Sequence, residues 1–205
     1  MLVALCIASR GLVHSRTMEA CLENIKAAEC DFLPIIEHNK PIPEAQNQIT
    51  QRALSSKAEW LWYLEEDMIP PTSALRSMLA EAKVISAKYR NRGGTWAYSL
   101  DRQGRLQYAG MGCLLVHRSV FSRLKVPFFD VIWDWNFNHD GTVTHRRVQP
   151  GDTTMGRQDV HFFAQLWMAG IEARLANIVC GHATVMKYRT YEPKTNNGCH
   201  EIEII

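Results

Sequence analysis

The stretch Trp60 to Pro71, WLWYLEEDMIPP, joins an apolar run to three consecutive acidic residues and then to two prolines. Its first part, Trp60 to Leu64, has the length and continuous apolar character of a strand that is buried on both faces. Such strands are typical of parallel sheets in α/β proteins. The stretch therefore predicts a central strand that ends at Glu65, Glu66 and Asp67.

Strands and helices alternate on both sides of this stretch. The predicted strands are Leu2 to Ala8, 31–39, 59–67 and Val84 to Tyr89, and the predicted helices are 14–29, 44–58 and 72–82. Pro34 would cost a central strand a ladder hydrogen bond, so the second strand is expected at a sheet edge or a bulge. The alternating order predicts an α/β sheet with parallel pairing.

The second half of the chain is less regular. Residues 95–110 predict a hairpin that turns at Gln103-Gly104, and residues 112–119 predict a short strand followed by a helix over Val120 to Leu124. Further on, a helix is predicted from Asp159 to Ala169 and a strand around Glu172 to Ala176. Residues 127–158 show no clear period, so we expect a mobile loop over about 128–158.

Length and composition fit one domain with a hydrophobic core. The chain has 205 residues and a formal net charge of +2, which is too small to indicate nucleic-acid binding. Its six cysteines form no C-x-x-C pair, and most lie among apolar neighbours, so reduced core thiols are expected. The opening MLVALCIAS lacks a basic leader, and no apolar run reaches the roughly 18 residues of a membrane span. We expect a soluble, cytoplasmic protein, with its oligomeric state open.

The three acids at the end of the central strand predict a ligand site. Ligands of open parallel sheets bind outside the carboxyl ends of the strands. Adjacent carboxylates repel one another unless a cation or hydrogen-bond donors compensate. Mg²⁺ and Mn²⁺ favour oxygen ligands and bind through one or two carboxylates together with substrate phosphates. The pattern indicates a metal that holds a diphosphate, and a solvated acidic turn is the alternative.

Six motifs, in order, resemble those of the GT-A glycosyltransferases, and among them the small family 2 type. They are IASRGLVHSRT, WLWYLEEDMIPP, KYRNR, AGMGCLLVHRSVF, GRQDVHFFAQLWMAGIEARL and VCGHATV. The resemblance covers nearly the whole chain and implies a Rossmann-like, three-layer α/β/α sandwich with a mainly parallel central sheet. It also implies one domain, 1–205, in which residues 1–92 bind the nucleotide sugar and residues 93–205 form the acceptor-side half.

By this resemblance the chain is a metal-dependent hexosyltransferase that moves a sugar from a UDP- or GDP-sugar to a hydroxyl group. Asp67 would coordinate the metal, and His182 resembles the third metal ligand of such enzymes. An imidazole among oxygens favours Mn²⁺ over Mg²⁺. Asp159 would be the general base that takes the acceptor's proton. Taken alone, Asp67 also fits an acidic turn, His182 a core or surface histidine, and Asp159 a helix N-cap.

The candidate donor-binding residues follow the first three predicted strands or lie on the second helix. They are Ser9, Arg10, Gly11, Glu37, Asn39, Arg52, Glu65 and Glu66. The resemblance implies that Glu65 faces the ribose or a metal-bound water. The family usually has aspartates at Glu65 and Glu66, and Gln158 replaces its common glutamate before Asp159. Ordinary surface polarity is the alternative for Glu37, Asn39 and Arg52.

The candidate acceptor-side residues are Gly110, Gly112, Trp133, Asp134 and Trp135. The glycines would admit close approach of the acceptor or merely shape a turn. The tryptophans would form an apolar wall that faces the sugar or the acceptor, or would pack in the core.

The acceptor and the stereochemical course stay open at this level. A basic rim would suit a phosphate-bearing acceptor such as modified DNA or a lipid phosphate, and a glycan is the other class considered. The members of this basic rim are Arg90, Arg92, Arg146, Arg147, Lys187, Arg189 and Lys194.

Two other functions compete with glycosyl transfer. One is a nucleotidyltransferase that makes nucleotide sugars, but it needs a glycine-rich phosphate loop and ASRGLVHSRT has a single glycine. The other is a non-catalytic carbohydrate- or nucleic-acid-binding module of the same fold.

Overall fold

The computed structural model describes residues 1–91, 94–138, 142–149, 152 and 157–183. Its strands are β1 (Leu2–Ser9), β2 (Asp31–His38), β3 (Trp60–Glu65), β4 (Met68–Ile69), β5 (Val84–Lys88), β6 (Tyr98–Leu100), β7 (Leu106–Ala109), β8 (Cys113–His117), β9 (Trp133–Phe137), β10 (Val143–Arg147), β11 (Arg174–Val179) and β12 (Gly181–His182). Its helices are α1 (Ser15–Ala28), α2 (Ile42–Ser55), α3 (Ala74–Leu79) and α4 (Arg157–Met168), with a 3₁₀ helix over Arg118–Arg123.

A six-stranded sheet forms the centre, in the order β11-β5-β8-β3-β1-β2. β1 pairs parallel with β2 and β3, and β11 pairs parallel with β5. β8 runs antiparallel between β3 and β5. The sheet is therefore mainly parallel, and the predicted Rossmann-like α/β class is confirmed. The predicted edge position of the strand that contains Pro34 is also confirmed, since β2 is the last strand of the sheet.

Two apolar clusters cover the two faces of the sheet because successive strand residues point to opposite sides. On one face, Val3, Leu5 and Ile7 of β1 share a cluster with residues of α1 and α3. On the other, Ala4 and Cys6 share a cluster with residues of α2 and α4. The result is three layers, with helices on both sides of the sheet.

Local sequence accounts for several element ends. The His14 side chain accepts a hydrogen bond from the backbone N–H of Arg16 and caps the N-terminus of α1. Glu29 ends that helix in the left-handed region at φ 51°. Prolines at the start of α2 cost nothing, because the first N–H groups of a helix have no partner within it. The Thr72 hydroxyl donates a hydrogen bond to Glu23, and Ser73 directly precedes α3.

Three pairs of strands lie outside the central sheet. β6 and β7 form the predicted hairpin, with Gly104 in the turn at φ 78°. β9 and β10 form an antiparallel hairpin where no regular element was predicted. β4 and β12 pair over two residues, and this contact brings Gly181 and His182 to the acidic turn. Gly141, Gly151 and Gly156 of the expected loop lie outside the described residues, and the mobility of that loop stays a prediction.

Within the part of the chain that the structure describes, no helix is long and apolar enough to cross a bilayer. The five described cysteines are free thiols, and four of them are buried, as expected for core thiols.

Candidate active site

A cleft of about 950 Å³ opens where β1, β3 and β5 end. This is the edge at which open α/β sheets bind ligands. It brings together seven of the predicted site residues: Arg10, Glu65, Glu66, Asp67, Gly110, Asp159 and His182. Residues from the two ends of the chain and from its middle thus meet in one site.

Asp67 and His182 face each other on one side of the cleft. Asp67 is 6% exposed and lies in the turn between β3 and β4. The Ala183 backbone N–H donates to the Asp67 backbone oxygen at 2.6 Å, which fixes the segment that carries His182. His182 Nδ1 lies 3.7 Å from Asp67 Oδ1, beyond hydrogen-bond distance. Neither ring nitrogen of His182 has a hydrogen-bond partner among the described residues.

Glu66 holds the loop after β1 rather than pointing freely at a ligand. Its carboxylate accepts hydrogen bonds from the Arg10 backbone N–H and from Arg10 Nε, both at 2.6 Å. Its backbone oxygen accepts from the His14 N–H at 2.9 Å. The Gly11 N–H donates to Ser9 Oγ at 3.0 Å. These contacts engage the N–H groups of Arg10, Gly11 and His14 within the protein.

Asp159 lies on another wall of the cleft, in the first turn of α4. The Met111 backbone N–H and the side chains of Gln46 and Gln158 lie near its carboxylate and favour the charged form. Burial, and secondarily the nearby Glu65 carboxylate, raise the pKa of Asp159 well above its ordinary value. Asp159 Oδ1 has no hydrogen-bond partner among the described residues. Burial outweighs these neighbours, so the carboxylate has a stronger affinity for a proton than an exposed aspartate.

Five of the predicted donor-binding residues are not among those that line the cleft: Ser9, Gly11, Glu37, Asn39 and Arg52. Ser9 is buried, and its backbone oxygen accepts from the Asn39 N–H at 3.1 Å. Hydrogen bonds from Lys40 and Arg52 lower the pKa of Glu37. The Gly11 N–H donates to Ser9 Oγ, and Glu37 forms ion pairs with Lys40 and Arg52.

Gly110 and Gly112 are explained by close packing. A Cβ at Gly110 would lie 1.9 Å from the Tyr89 hydroxyl, and a Cβ at Gly112 would lie 2.5 Å from the Tyr89 ring. The Gly112 N–H donates to the Tyr89 hydroxyl at 3.0 Å. The Tyr89 ring in turn lies 5.7 Å from the His182 ring. Both glycines therefore make room for the tyrosine that supports His182, and Gly110 also lines the cleft.

Trp133, Asp134 and Trp135 lie on β9 and are not among the cleft-lining residues. Trp133 and Trp135 both pack on His145 of the neighbouring strand, and Trp135 Nε1 donates to His161 Nδ1 at 3.2 Å. Asp134 pairs with Arg146 at 2.8 Å and with Arg157. These contacts fasten the β9–β10 hairpin to α4, so packing accounts for the two tryptophans here.

Several cleft residues were missed by the sequence analysis. They are polar or aromatic and come from α2, the β5–β6 segment, β7 and α4: Gln46, Tyr89, Asn91, Thr95, Trp96, Tyr108 and Gln158. Gln46 carried a usable signal, because it lies on the buried face of α2 beside Ile49, Thr50 and Ala53. A polar side chain on the apolar face of a helix needs a partner.

The described members of the predicted basic rim do not line the cleft. Arg90, Arg146 and Arg147 are not among the lining residues. Arg146 is held by Asp134 and Asp152, each at 2.8 Å. The other members, Arg92, Lys187, Arg189 and Lys194, lie outside the described residues.

The Asp67–His182 pair fits a divalent metal whose other ligands come from a substrate diphosphate and water. Among the described residues, no group of three or more His, Cys, Asp or Glu side chains is arranged to hold a metal ion. The pair supplies one carboxylate and an imidazole whose nitrogens have no described hydrogen-bond partner. Mg²⁺ and Mn²⁺ commonly take few protein ligands and complete their coordination with substrate phosphates and water. The donor set therefore fits a cation that arrives with a diphosphate.

No family model matches the chain, and no curated protein matches it. Among solved structures, A197 from STIV aligns with 90% of this chain and 86% of its own, at a TM-score of 0.60 and 16% identity. That similarity shows a common fold.

Two other solved structures align less well. A glycosyltransferase involved in glycosylation of the major capsid of PBCV-1 covers 60% of this chain and 63% of its own, with a TM-score of 0.37 and 13% identity. The 4-diphosphocytidyl-2C-methyl-D-erythritol synthase of Anaerococcus prevotii covers 60% and 74%, with a TM-score of 0.36 and 6% identity. At these scores neither likeness bears on the function of this chain.

Proposed function

We propose that the protein is a metal-dependent glycosyltransferase of the GT-A type that moves a sugar from a UDP- or GDP-sugar to a hydroxyl group. The observation that carries the proposal is the cleft that contains the Asp67–His182 pair together with the buried carboxylate of Asp159. One part suits a cation with a diphosphate, and the other suits removal of a proton. A metal-assisted, direct transfer of a sugar to a hydroxyl group uses both.

Asp67 and His182 would hold Mn²⁺ or Mg²⁺, with Mn²⁺ favoured by the imidazole. When bound, the cation neutralises the negative charge that develops on the leaving diphosphate. Glu65 contributes a further carboxylate at the cleft, and Glu66 keeps the loop after β1 in place through Arg10. The described cleft residues include four carboxylates and one arginine, so a diphosphate without a cation would be repelled there.

Asp159 would act as the general base. Its carboxylate takes the proton of the acceptor hydroxyl while the hydroxyl oxygen bonds to the anomeric carbon. The bond between that carbon and the diphosphate breaks, and its electron pair leaves with the diphosphate oxygen. A raised pKa suits this role, because a more basic carboxylate accepts a proton more readily.

The loop after β1 argues against nucleotidyl transfer. An enzyme that forms nucleotide sugars needs free backbone N–H groups to cradle the triphosphate. Here the N–H groups of Arg10, Gly11 and His14 are already engaged. Those of Arg16, Thr17 and Met18 are engaged with His14 at the start of α1.

The test measures melting temperature with UDP-, GDP- and dTDP-sugars, each with and without Mn²⁺. Preferential binding to the folded state raises the melting temperature by mass action. We expect one nucleotide series to stabilise the wild type only with Mn²⁺, and Asp67→Asn to lose that shift. The same mixtures are then assayed for release of the nucleoside diphosphate.

Asp31→Asn is the matched control, since Asp31 is exposed at the opposite end of the parallel strands. It should keep the full Mn²⁺-dependent shift. Equal shifts in Asp67→Asn and wild type would remove Asp67 from the metal site. Consumption of nucleoside triphosphate and sugar phosphate, without use of nucleotide sugars, would establish the nucleotidyltransferase instead. Nucleotide-sugar binding without turnover would favour the non-catalytic module.

A further inference from the structure

Gln46 lies beside Asp159 on the wall of the cleft. The two side chains come from α2 and α4, are 5% and 8% exposed, and both residues line the cleft. The Gln46 side chain lies near the Asp159 carboxylate and favours its charged form. Gln46 Oε1 and Asp159 Oδ1 remain without a hydrogen-bond partner among the described residues. The wall thus presents two neighbouring, unpaired acceptors.

Unpaired buried acceptors indicate a missing donor. Buried polar side-chain atoms nearly always have a hydrogen-bond partner, because leaving them unpaired forfeits their hydration. Both oxygens are almost fully covered, so binding a ligand requires a rotation of both side chains toward the cleft. Pairing the two oxygens favours that rotation. Two acceptors on adjacent side chains call for two donors on adjacent atoms of a ligand.

The charge of the cleft excludes a good fit for an anionic acceptor. Among the described lining residues, Glu65, Glu66, Asp67 and Asp159 oppose a single arginine, Arg10. Arg10 is already paired with Glu66. A cation at Asp67 would be matched by the donor's own diphosphate. No positive group among these residues is left for a second phosphate, as DNA or a lipid phosphate would bring.

Aromatic side chains supply the remaining surface that a sugar ring uses. Tyr89, Trp96 and Tyr108 line the cleft, and Trp96 is 40% exposed. The Arg90 guanidinium lies 4.6 Å from the Trp96 ring centroid, which helps to hold this side chain in place. Aromatic rings combine apolar area with few rotatable bonds, so they bind the C–H surface of a ring at low entropic cost.

We infer that the acceptor is a neutral carbohydrate with two adjacent hydroxyl groups, one at Asp159 and its neighbour at Gln46 Oε1. The role of the first hydroxyl rests on the proposed function, since Asp159 takes its proton there. The second hydroxyl donates to Gln46 Oε1 and fixes the orientation of the ring. Gln46 is therefore a specificity-determining residue, and an acceptor with an isolated hydroxyl would lack half of this recognition.

The ligand side is tested first on the wild-type protein, by saturation-transfer NMR with methyl hexopyranosides at millimolar concentration. The panel includes single-deoxy forms at each ring position and 6-phosphate forms. We expect at least one neutral pyranoside to bind. Removing either of two adjacent hydroxyls should weaken that binding about tenfold, the value of one well-made hydrogen bond. The 6-phosphate form should bind more weakly than its neutral parent.

The protein side uses Gln46→Met, which keeps the length of the side chain and removes its polar atoms. Gln51→Met, at an exposed position on the same helix, is the matched control. Gln46→Met should weaken the pyranoside about tenfold and make it insensitive to loss of the hydroxyl that faces Gln46. Its melting shift with nucleotide and Mn²⁺ should equal that of wild type. Gln51→Met should change none of these values.

Three results overturn the inference: no pyranoside gives saturation transfer, every single-deoxy form binds as well as its parent, or Gln46→Met binds the panel as wild type does. If Gln46→Met does not fold, the deoxy panel on the wild type decides alone. Pyranoside binding that depends on Gln46, in a protein that binds no nucleotide sugar, would uphold the subsite and overturn the proposed function. Nucleotide-dependent sugar transfer to acceptors with an isolated hydroxyl would uphold the proposed function and overturn the subsite.

Discussion

The two acidic walls of the cleft differ although their carboxylates are almost equally buried, Asp67 at 6% and Asp159 at 8% exposure. Asp67 lies in a tight turn and faces an imidazole that is held by a two-residue strand pair. Asp159 lies in a helix of 12 residues, where burial and the nearby Glu65 carboxylate raise its pKa. The Asp67 wall is thus suited to share a cation with a substrate, and the Asp159 wall to accept a proton.

Asp159→Asn should give the largest effect. Turnover is expected to fall by about 10²- to 10⁴-fold, because an amide cannot accept the acceptor's proton. Nucleotide and Mn²⁺ binding should persist, since Asp67 and His182 are untouched. Steady-state kinetics and melting shifts on the same preparation separate the two. If binding and turnover fall together, the distinction between the walls fails.

His182→Gln should weaken Mn²⁺-dependent nucleotide binding about tenfold, near the low end of losses seen when groups around a metal are changed. The effect is limited because diphosphate, water and Asp67 supply the other ligands. Titration of Mn²⁺ at fixed nucleotide, followed by melting temperature, measures it. His145→Gln, on the β9–β10 hairpin and not among the cleft-lining residues, is a control for the loss of an imidazole and should leave the Mn²⁺ titration unchanged. If His182→Gln is destabilised but its Mn²⁺ titration below the melting temperature equals that of wild type, His182 is a core residue and not a metal ligand.

Gly112→Ala should disturb the Asp67 wall through Tyr89. The new Cβ would lie 2.5 Å from the Tyr89 ring and 2.6 Å from the Met68 methyl group. Overpacking of this kind costs about 1–3 kcal/mol in the free energy of unfolding. Urea denaturation gives this value, with Gly104→Ala in the hairpin turn as a control for strain at φ 78° without a clash. If Gly112→Ala keeps its free energy of unfolding but no longer transfers sugar to the acceptor, Gly112 has the predicted acceptor-side role.

The smallest expected effect is a difference between wild type and Asp159→Asn in how their stability changes with pH. Because the pKa of Asp159 is raised in the folded state, the folded protein holds a proton that the unfolded chain has lost. Its contribution to stability is complete below the ordinary aspartate pKa and falls as pH rises toward the raised value, by about 1.4 kcal/mol per pH unit. Asp159→Asn should flatten this slope, so its melting temperature should exceed that of wild type increasingly with pH. Parallel melting curves of the two proteins would contradict the burial of a titrating carboxylate.

Sequence periodicity predicted the first half of the fold well, because continuous apolar strands and amphipathic helices identify themselves locally. β1, β3 and α1 lie where they were expected, and Pro34 marked the edge strand correctly. The insertion of β8 in reverse between β3 and β5 was not predictable in this way. The apolar run of β8 records burial but not strand direction or neighbours.

The hairpin β9–β10 was missed although its signal was present. Trp133, Trp135 and Phe137 alternate with polar residues, which is the period of a strand with one packed face. Tryptophans, prolines and glycines across the wider segment obscured it.

Of the predicted site residues at the ends of strands, Glu65, Asp67 and His182 line the cleft, whereas Ser9, Glu37 and Asn39 do not. The partners of Asp159 were not identified, because Gln46 and Met111 are far away in sequence and meet it only through the packing of α2 and α4.

The reversed strand has a consequence for synthesis of the chain. β1, β2 and β3 can pair soon after they leave the ribosome, but β5 has no place in the sheet until β8 has been made, since β8 lies between β3 and β5. His182 is translated more than a hundred residues after Asp67. At about 5–20 residues per second, the nascent acidic turn waits on the order of ten seconds for that partner. The cleft is therefore among the last parts of the described chain to be assembled during translation.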